Sequence, residues 1–160
     1  MQYLTYETRV TEYLPKEIPE KYLPLIAEAK NQTEKAYAVY SHFQVGSALL
    51  LDNGMMVTGN NQENSAYPSG LCAERTAIFY ANSQYPDSGV SMMAIAAFSN
   101  GKFLSEPITP CGACRQVLLE TENRYGKDIE IILYGTEKTY ILENVKQLLP
   151  LSFTKGSLRK

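Results

Sequence analysis

Apolar residues in this chain recur first at helical spacing and then at strand spacing. Across residues 20–38, Leu23, Ile26, Ala27, Tyr37 and Ala38 form a partial helical stripe, with Pro24 in its first turn, where proline is tolerated. Residues 43–51 read as a strand, Asp52-Asn53-Gly54 as a turn and residues 55–58 as the hairpin partner. Residues 60–70 are rich in Asn, Ser, Pro and Gly and read as a loop. A helix is predicted to begin near Cys72 and run through Arg75, Ile78 and Phe79. Residues 92–98 and 129–134 are short apolar runs with the length of buried strands, and 139–142 is a further short strand. Pro110 precedes a helix carrying Val117, Leu118 and Leu119, and a last short helix at 144–149 is stopped by Pro150.

The predicted order is helix, hairpin, helix, strand, helix, strand, strand, helix. Strands alternating with helices point to an α/β fold: three layers, α/β/α, around a mixed five-stranded sheet covered on both faces. Ligands bind such sheets at the carboxyl ends of strands, where helices start. Residues 1–18 read as an N-terminal arm interrupted by Pro15, and residues 19–160 as a single domain.

Composition narrows the class. At 160 residues, 44% hydrophobic and 20% charged, the chain is of ordinary globular type. A net charge of −2 gives no reason to expect a polyanionic partner. No apolar run reaches the length of a membrane span, and the N-terminal residues lack the pattern of a signal peptide, so a cytoplasmic location without membrane contact is expected.

The three cysteines are odd in number, which argues against a disulfide framework and for a metal site. They fall in two motifs, Cys72-Ala73-Glu74-Arg75 and Pro110-Cys111-Gly112-Ala113-Cys114. Three thiolates leave one position of a tetrahedral zinc open, as catalytic rather than structural sites do. Helix N-termini favour thiolate over thiol. Glu74, two residues after Cys72, is placed to move protons for a water at the open position. Arg75 and Arg115 adjoin the cysteines in sequence, and Arg75 is expected to bond a thiolate and withdraw charge from the site. This is the layout of the zinc-dependent base deaminases in their three-cysteine form. The competing reading is a structural zinc closed by the only histidine, His42; a hydrogen-bonded structural histidine beside the strand is preferred for that residue. Tyr67, Phe79 and Tyr80, taken singly, read as packing residues.

The resemblance extends beyond the metal motifs. Tyr40-Ser41-His42-Phe43-Gln44-Val45-Gly46, Gly59-Asn60-Asn61-Gln62-Glu63-Asn64, the two cysteine segments and Leu148-Leu149-Pro150-Leu151-Ser152-Phe153 together resemble the small homotetrameric cytidine deaminases. The likeness runs from about residue 20 to the end. It implies a cytidine deaminase-like fold, one zinc per subunit on Cys72, Cys111 and Cys114, and Glu74 as the proton shuttle. It also implies a free nucleoside as the partner molecule, with Asn61 and Glu63 on the ribose 3′-hydroxyl and Phe43 against the nucleoside. The backbone of Ala73 is expected on the base carbonyl, and Tyr67 and Phe153 as site contacts across subunit interfaces of a homotetramer. Without the motif, Asn61 reads as a turn former and Glu63 as a solvated charge. Val39 and Gln44 stand where the family usually has proline, and Asn60, Gln62 and Ala66 also differ from its common residues.

The reaction implied is hydrolysis of cytidine and deoxycytidine to uridine and deoxyuridine. A deaminase for another aminopyrimidine nucleoside, such as blasticidin S, is the alternative. An editing enzyme for nucleic acid would need contacts to flanking nucleotides, and the basic residues are scattered apart from Lys155, Arg159 and Lys160.

Overall fold

The computed structural model describes residues 1–158; Arg159 and Lys160 of the basic tail lie outside the described residues. The central sheet has seven strands: β1 (Thr11–Tyr13), β2 (Gln44–Leu51), β3 (Met56–Asn60), β4 (Val90–Ser99), β5 (Lys102–Phe103), β6 (Glu130–Tyr134) and β7 (Thr139–Leu142). Among the described residues three α-helices accompany them: α1 (Leu23–Thr33), α2 (Ala73–Gln84) and α3 (Gly112–Tyr125). The sheet order is β1-β7-β6-β4-β2-β3, with β5 added to the end of β4. Only β4 and β6 are parallel neighbours; the other pairs are antiparallel, so the sheet is mixed.

Strand alternation divides the core into two layers. Leu49 and Leu51 of β2, Met93 and Ile95 of β4, and Ile131 and Leu133 of β6 face Ala77 and Ile78 of α2 and Leu118 and Leu119 of α3. The intervening Ala48, Ala94, Ala96 and Ile132 face Leu25, Ile26 and Ala29 of α1. The alanines on that face let α1 lie close to the sheet. The closest approach is at Gly46, where a Cβ would stand 2.0 Å from the carbonyl oxygen of Ala29. On the other face a Cβ at Gly59 would stand 2.5 Å from the Ala77 nitrogen, so β3 and the first turns of α2 pack backbone to backbone.

β3 and β4 each run antiparallel to β2 and therefore point the same way. α2 follows β3, and α3 follows β4 after the short hairpin return β5; the sulfur cluster at their first turns places both helix starts at the same edge of the sheet. The other end of α3 is anchored by a buried carboxylate. Glu122 Oε1 accepts from the N–H groups of Ile129 (2.9 Å) and Val145 (2.8 Å).

The structure corrects the sequence expectations in four places. The sheet has seven strands rather than five. The added β1 comes from the N-terminal arm and pairs with β7, while Thr8 Oγ1 and Arg9 N–H donate to Gln147. The added β5 is the return of a tight hairpin through Asn100 (φ 52°) and Gly101 (φ 77°), and that Asn-Gly pair was its sequence signal. The first helix ends at Thr33 rather than reaching Ala38, and Thr33 Oγ1 turns back to donate to Lys30 O (2.7 Å). Beyond it Tyr37 leaves the helical path to bridge Gln62. Finally, Phe79 and Tyr80 are about half exposed, because α2 buries the opposite face through Ala73, Glu74, Ala77, Ile78 and Ala81.

Candidate active site

Cys72 and Cys111 have extended backbone and stand as the N-caps of α2 and α3. Neither thiol caps its helix, so the side chains turn outward from the first-turn amides. Cys114 lies one turn into α3 and is fully buried. The shared sheet edge brings the three sulfurs within 4.8 Å of one another. Cys72 Sγ to Cys111 Sγ is 3.7 Å, and Cys111 Sγ to Cys114 Sγ is 3.3 Å. Thiolates on a tetrahedral zinc at about 2.3 Å would be roughly 3.8 Å apart, so the trio matches the spacing and the donor chemistry of that ion. Among the described residues it is the one cluster suited to hold a metal, and His42 is not part of it.

The thiols differ in acidity. Cys72 is drawn down to about 5, first by its hydrogen bond with Cys114 and then by Arg75 and Cys111. Cys114 is pushed up by the same partnership and by burial. Arg75 Nη2 donates to Cys72 Sγ at 3.7 Å. Arg115 does not reach the sulfurs. Its guanidinium donates to Pro110 O (2.8 Å), Leu148 O (2.8 Å) and Thr109 Oγ1 (3.1 Å), fixing the loop that enters α3.

Glu74, in the first turn of α2, is 4% exposed. Burial pushes its carboxyl up, and the charge of Cys72 adds to the effect. Ala73 beside it is fully buried in side chain.

A cleft of about 750 Å³ runs from these residues to the loop beyond β3. Its lining includes Cys72, Ala73, Glu74, Arg75 and Cys111 at one end and Phe43, Asn61, Glu63 and Tyr67 toward the other. Asn61 is tied to the start of β2: its Oδ1 accepts from Val45 N–H (2.8 Å) and its Nδ2 donates to Phe43 O (2.9 Å). Glu63 Oε2 accepts from Tyr40 N–H (2.8 Å) and Ser41 N–H (3.3 Å), and Oε1 accepts from Ser41 Oγ. The Ser41 hydroxyl, followed by the Tyr40 N–H, holds the Glu63 carboxyl below the usual carboxylate range. Ser41, Ile108 and Thr109 also line the cleft without having been singled out in sequence. Ile108 and Thr109 sit just before Pro110, and that adjacency was their only signal.

Of the two aromatic residues expected at subunit interfaces, Tyr67 stands on the cleft rim, 76% exposed. Phe153 is 58% exposed and outside the cleft lining, on a C-terminal segment held by Gln116 Nε2 donating to Phe153 O (2.9 Å).

Comparison with known proteins gives concordant results. Residues 19–125 match the model of the cytidine and deoxycytidylate deaminase zinc-binding region. The chain is 41% identical over 130 residues to a cytidine deaminase of Halalkalibacterium halodurans, covering 81% of this chain and 92% of the relative. It is 42% identical over 134 residues to a cytidine deaminase of Sporosarcina psychrophila, covering 84% and 92%. The fold superposes on the crystal structure of cytidine deaminase from Burkholderia pseudomallei with a TM-score of 0.71 and 37% identity, covering 82% of this chain and 98% of that one.

Proposed function

Since the chain belongs to the family of the cytidine and deoxycytidylate deaminase zinc-binding region, we propose that it hydrolyses free cytidine and deoxycytidine to uridine and deoxyuridine, releasing ammonia. The observation that carries this reading is one cleft with Cys72 and Cys111 of the thiol trio and the buried Glu74 carboxyl at one end, Cys114 lying buried behind them, and polar groups suited to a sugar at the other.

Cys72, Cys111 and Cys114 hold one zinc per subunit. Zinc so held supplies the Lewis acidity that makes water a nucleophile near neutral pH. Glu74 moves the protons. The water oxygen bonds to the amino-bearing ring carbon, and Glu74 carries a proton from water to the adjacent ring nitrogen. Glu74 then takes the remaining proton from the added hydroxyl and delivers it to the amine, so that the carbonyl forms as the carbon–nitrogen bond breaks and ammonia leaves. Its burial favours the proton-holding form, which suits a group that must give the proton back. Arg75 draws charge from Cys72, which keeps three thiolates from weakening the metal site.

The rest of the cleft orients the nucleoside. The Ala73 backbone meets the base carbonyl and Phe43 packs against the nucleoside. Asn61 and Glu63 take the 3′-hydroxyl; Asn61 keeps one amide hydrogen and one oxygen lone pair beyond its bonds to β2. Residues 19–160 form the catalytic domain and 1–18 an arm. The enzyme works as a homotetramer in which neighbours supply Tyr67 and Phe153 to each site; the exposure of Phe153 outside this chain's own cleft supports this, whereas Tyr67 already lines that cleft. It serves pyrimidine salvage in the cytoplasm. The partner is a small nucleoside rather than nucleic acid or a membrane. Among the described residues no helix is long and apolar enough to cross a membrane.

The test is the loss of cytidine ultraviolet absorbance with wild type and Glu74→Gln, with zinc content measured in both. Turnover by the wild type alone, at equal zinc, is the expected result. A zinc-loaded wild type that is inert on cytidine and deoxycytidine overturns the substrate assignment, and blasticidin S and then RNA become the substrates to try.

A further inference from the structure

The segment from Tyr40 to Phe43 holds Glu63 by more than backbone contact. Ser41 Oγ accepts from Phe43 N–H at 3.1 Å, closing a short turn in which His42 has φ 54° and donates its N–H to Ala38 O at 2.9 Å. A hydroxyl has one proton to give. With Phe43 N–H donating into the oxygen, that proton goes to Glu63 Oε1. The direction of the Ser41–Glu63 bond is therefore set by the backbone.

The carboxylate has about four lone-pair sites. Tyr40 and Ser41 N–H groups occupy both sites of Oε2, and the Ser41 hydroxyl occupies one site of Oε1. One acceptor position is left, on Oε1. Both residues line the cleft. Without the hydroxyl, the carboxylate keeps its two backbone bonds and pivots about Oε2, so Oε1 loses its fixed direction. We infer that Ser41 is a positioning residue for sugar recognition, which aims the last free lone pair of Glu63 at the substrate hydroxyl and so sets discrimination for that hydroxyl. The inference rests on the assignment of Glu63 to the 3′-hydroxyl made above.

The test is the ratio of kcat/KM for cytidine to that for 3′-deoxycytidine. A ratio within one preparation is insensitive to the fraction of folded or zinc-loaded enzyme. Ser41→Ala is expected to lower the ratio about tenfold, as when a charge-assisted bond to a substrate hydroxyl loses its alignment. Most of the change should fall in KM for cytidine, with 3′-deoxycytidine altered less than about twofold. Ser41→Thr, which keeps the hydroxyl, should hold the ratio within about twofold of wild type. If Glu63→Gln collapses the ratio and Ser41→Ala does not, the role of Ser41 is overturned and that of Glu63 stands. If Glu63→Gln leaves the ratio unchanged, the Glu63 assignment fails and this inference with it. A Ser41→Thr enzyme that behaves like Ser41→Ala also overturns the inference, because the hydroxyl would not be the agent.

Discussion

The two ends of the cleft solve different problems with the same kinds of atoms. At the sulfur end, Glu74 is 4% exposed and its carboxyl is pushed up by burial. At the other end, Glu63 is only partly buried and its carboxyl is drawn down by the Ser41 hydroxyl and two backbone N–H groups. One carboxyl is shifted toward its protonated form and the other toward its charged form, which matches the roles proposed for Glu74 and Glu63. The scaffolds differ as well. The sulfur end is built on two helix starts set by the sheet, whereas the sugar end is a loop held by side chains that bond its backbone. Damage at the first should therefore appear in metal content or rate, and damage at the second in substrate affinity and local stability.

The largest effect is expected from Cys114→Ala. It removes the fully buried thiol proposed as a zinc ligand, and both bound zinc, measured by metal analysis, and deaminase activity should fall to background. Activity surviving with zinc in place would break the assignment of this end. Glu74→Gln should keep its zinc and lose about 10³-fold in kcat, the range of a lost proton shuttle. An equal loss of zinc would instead make Glu74 part of the metal's hold. Arg75→Gln should reduce activity or zinc affinity about 10- to 100-fold, read by titration with a chelator. At the other end, Asn61→Ala strips partners from Val45 N–H and Phe43 O. It should raise KM while kcat changes little, and lower the unfolding free energy by about 1–3 kcal/mol. A kcat defect as deep as that of Glu74→Gln would erase the contrast between the two ends.

The smallest effect concerns pH. A carboxyl whose folded pKa is depressed keeps its charge as pH falls and loses it only below the ordinary carboxylate range. The preference for cytidine over 3′-deoxycytidine should therefore stay flat from about pH 8 to about pH 5, even where turnover itself changes. A preference that fades across that window would show that the Glu63 carboxyl is raised above its ordinary range in the working enzyme rather than held below it.

The sequence carried the sulfur end more fully than the sugar end. Cys72, Glu74, Cys111 and Cys114 declared themselves because thiols in an odd number at metal spacing have few other uses. Asn61 and Glu63 carried no comparable signal, since Asn and Glu in a polar loop usually have local roles. Their meaning lies in the backbone they hold across 16 to 23 residues of chain. Arg115 shows the same limit: adjacent to Cys114 in sequence, it is directed by the fold to Pro110 and Leu148.

By itself the sequence determined the element types, the two helix starts and the metal chemistry. Each is written in local spacing: alternation for strands, a 3.6-residue stripe for helices, and extended residues ahead of a helical run. Tertiary structure decided what local spacing cannot encode. The three-residue β1 exists only because β7 is there to pair with it, and α1 ends at Thr33, ahead of the Tyr37–Gln62 bridge, with no glycine or proline there to stop it. The meeting of Cys72 with Cys111, 39 residues apart, follows from β3 and β4 running the same way beside β2. That parallel course is a property of strand pairing across the whole sheet, and no segment of the chain specifies it alone.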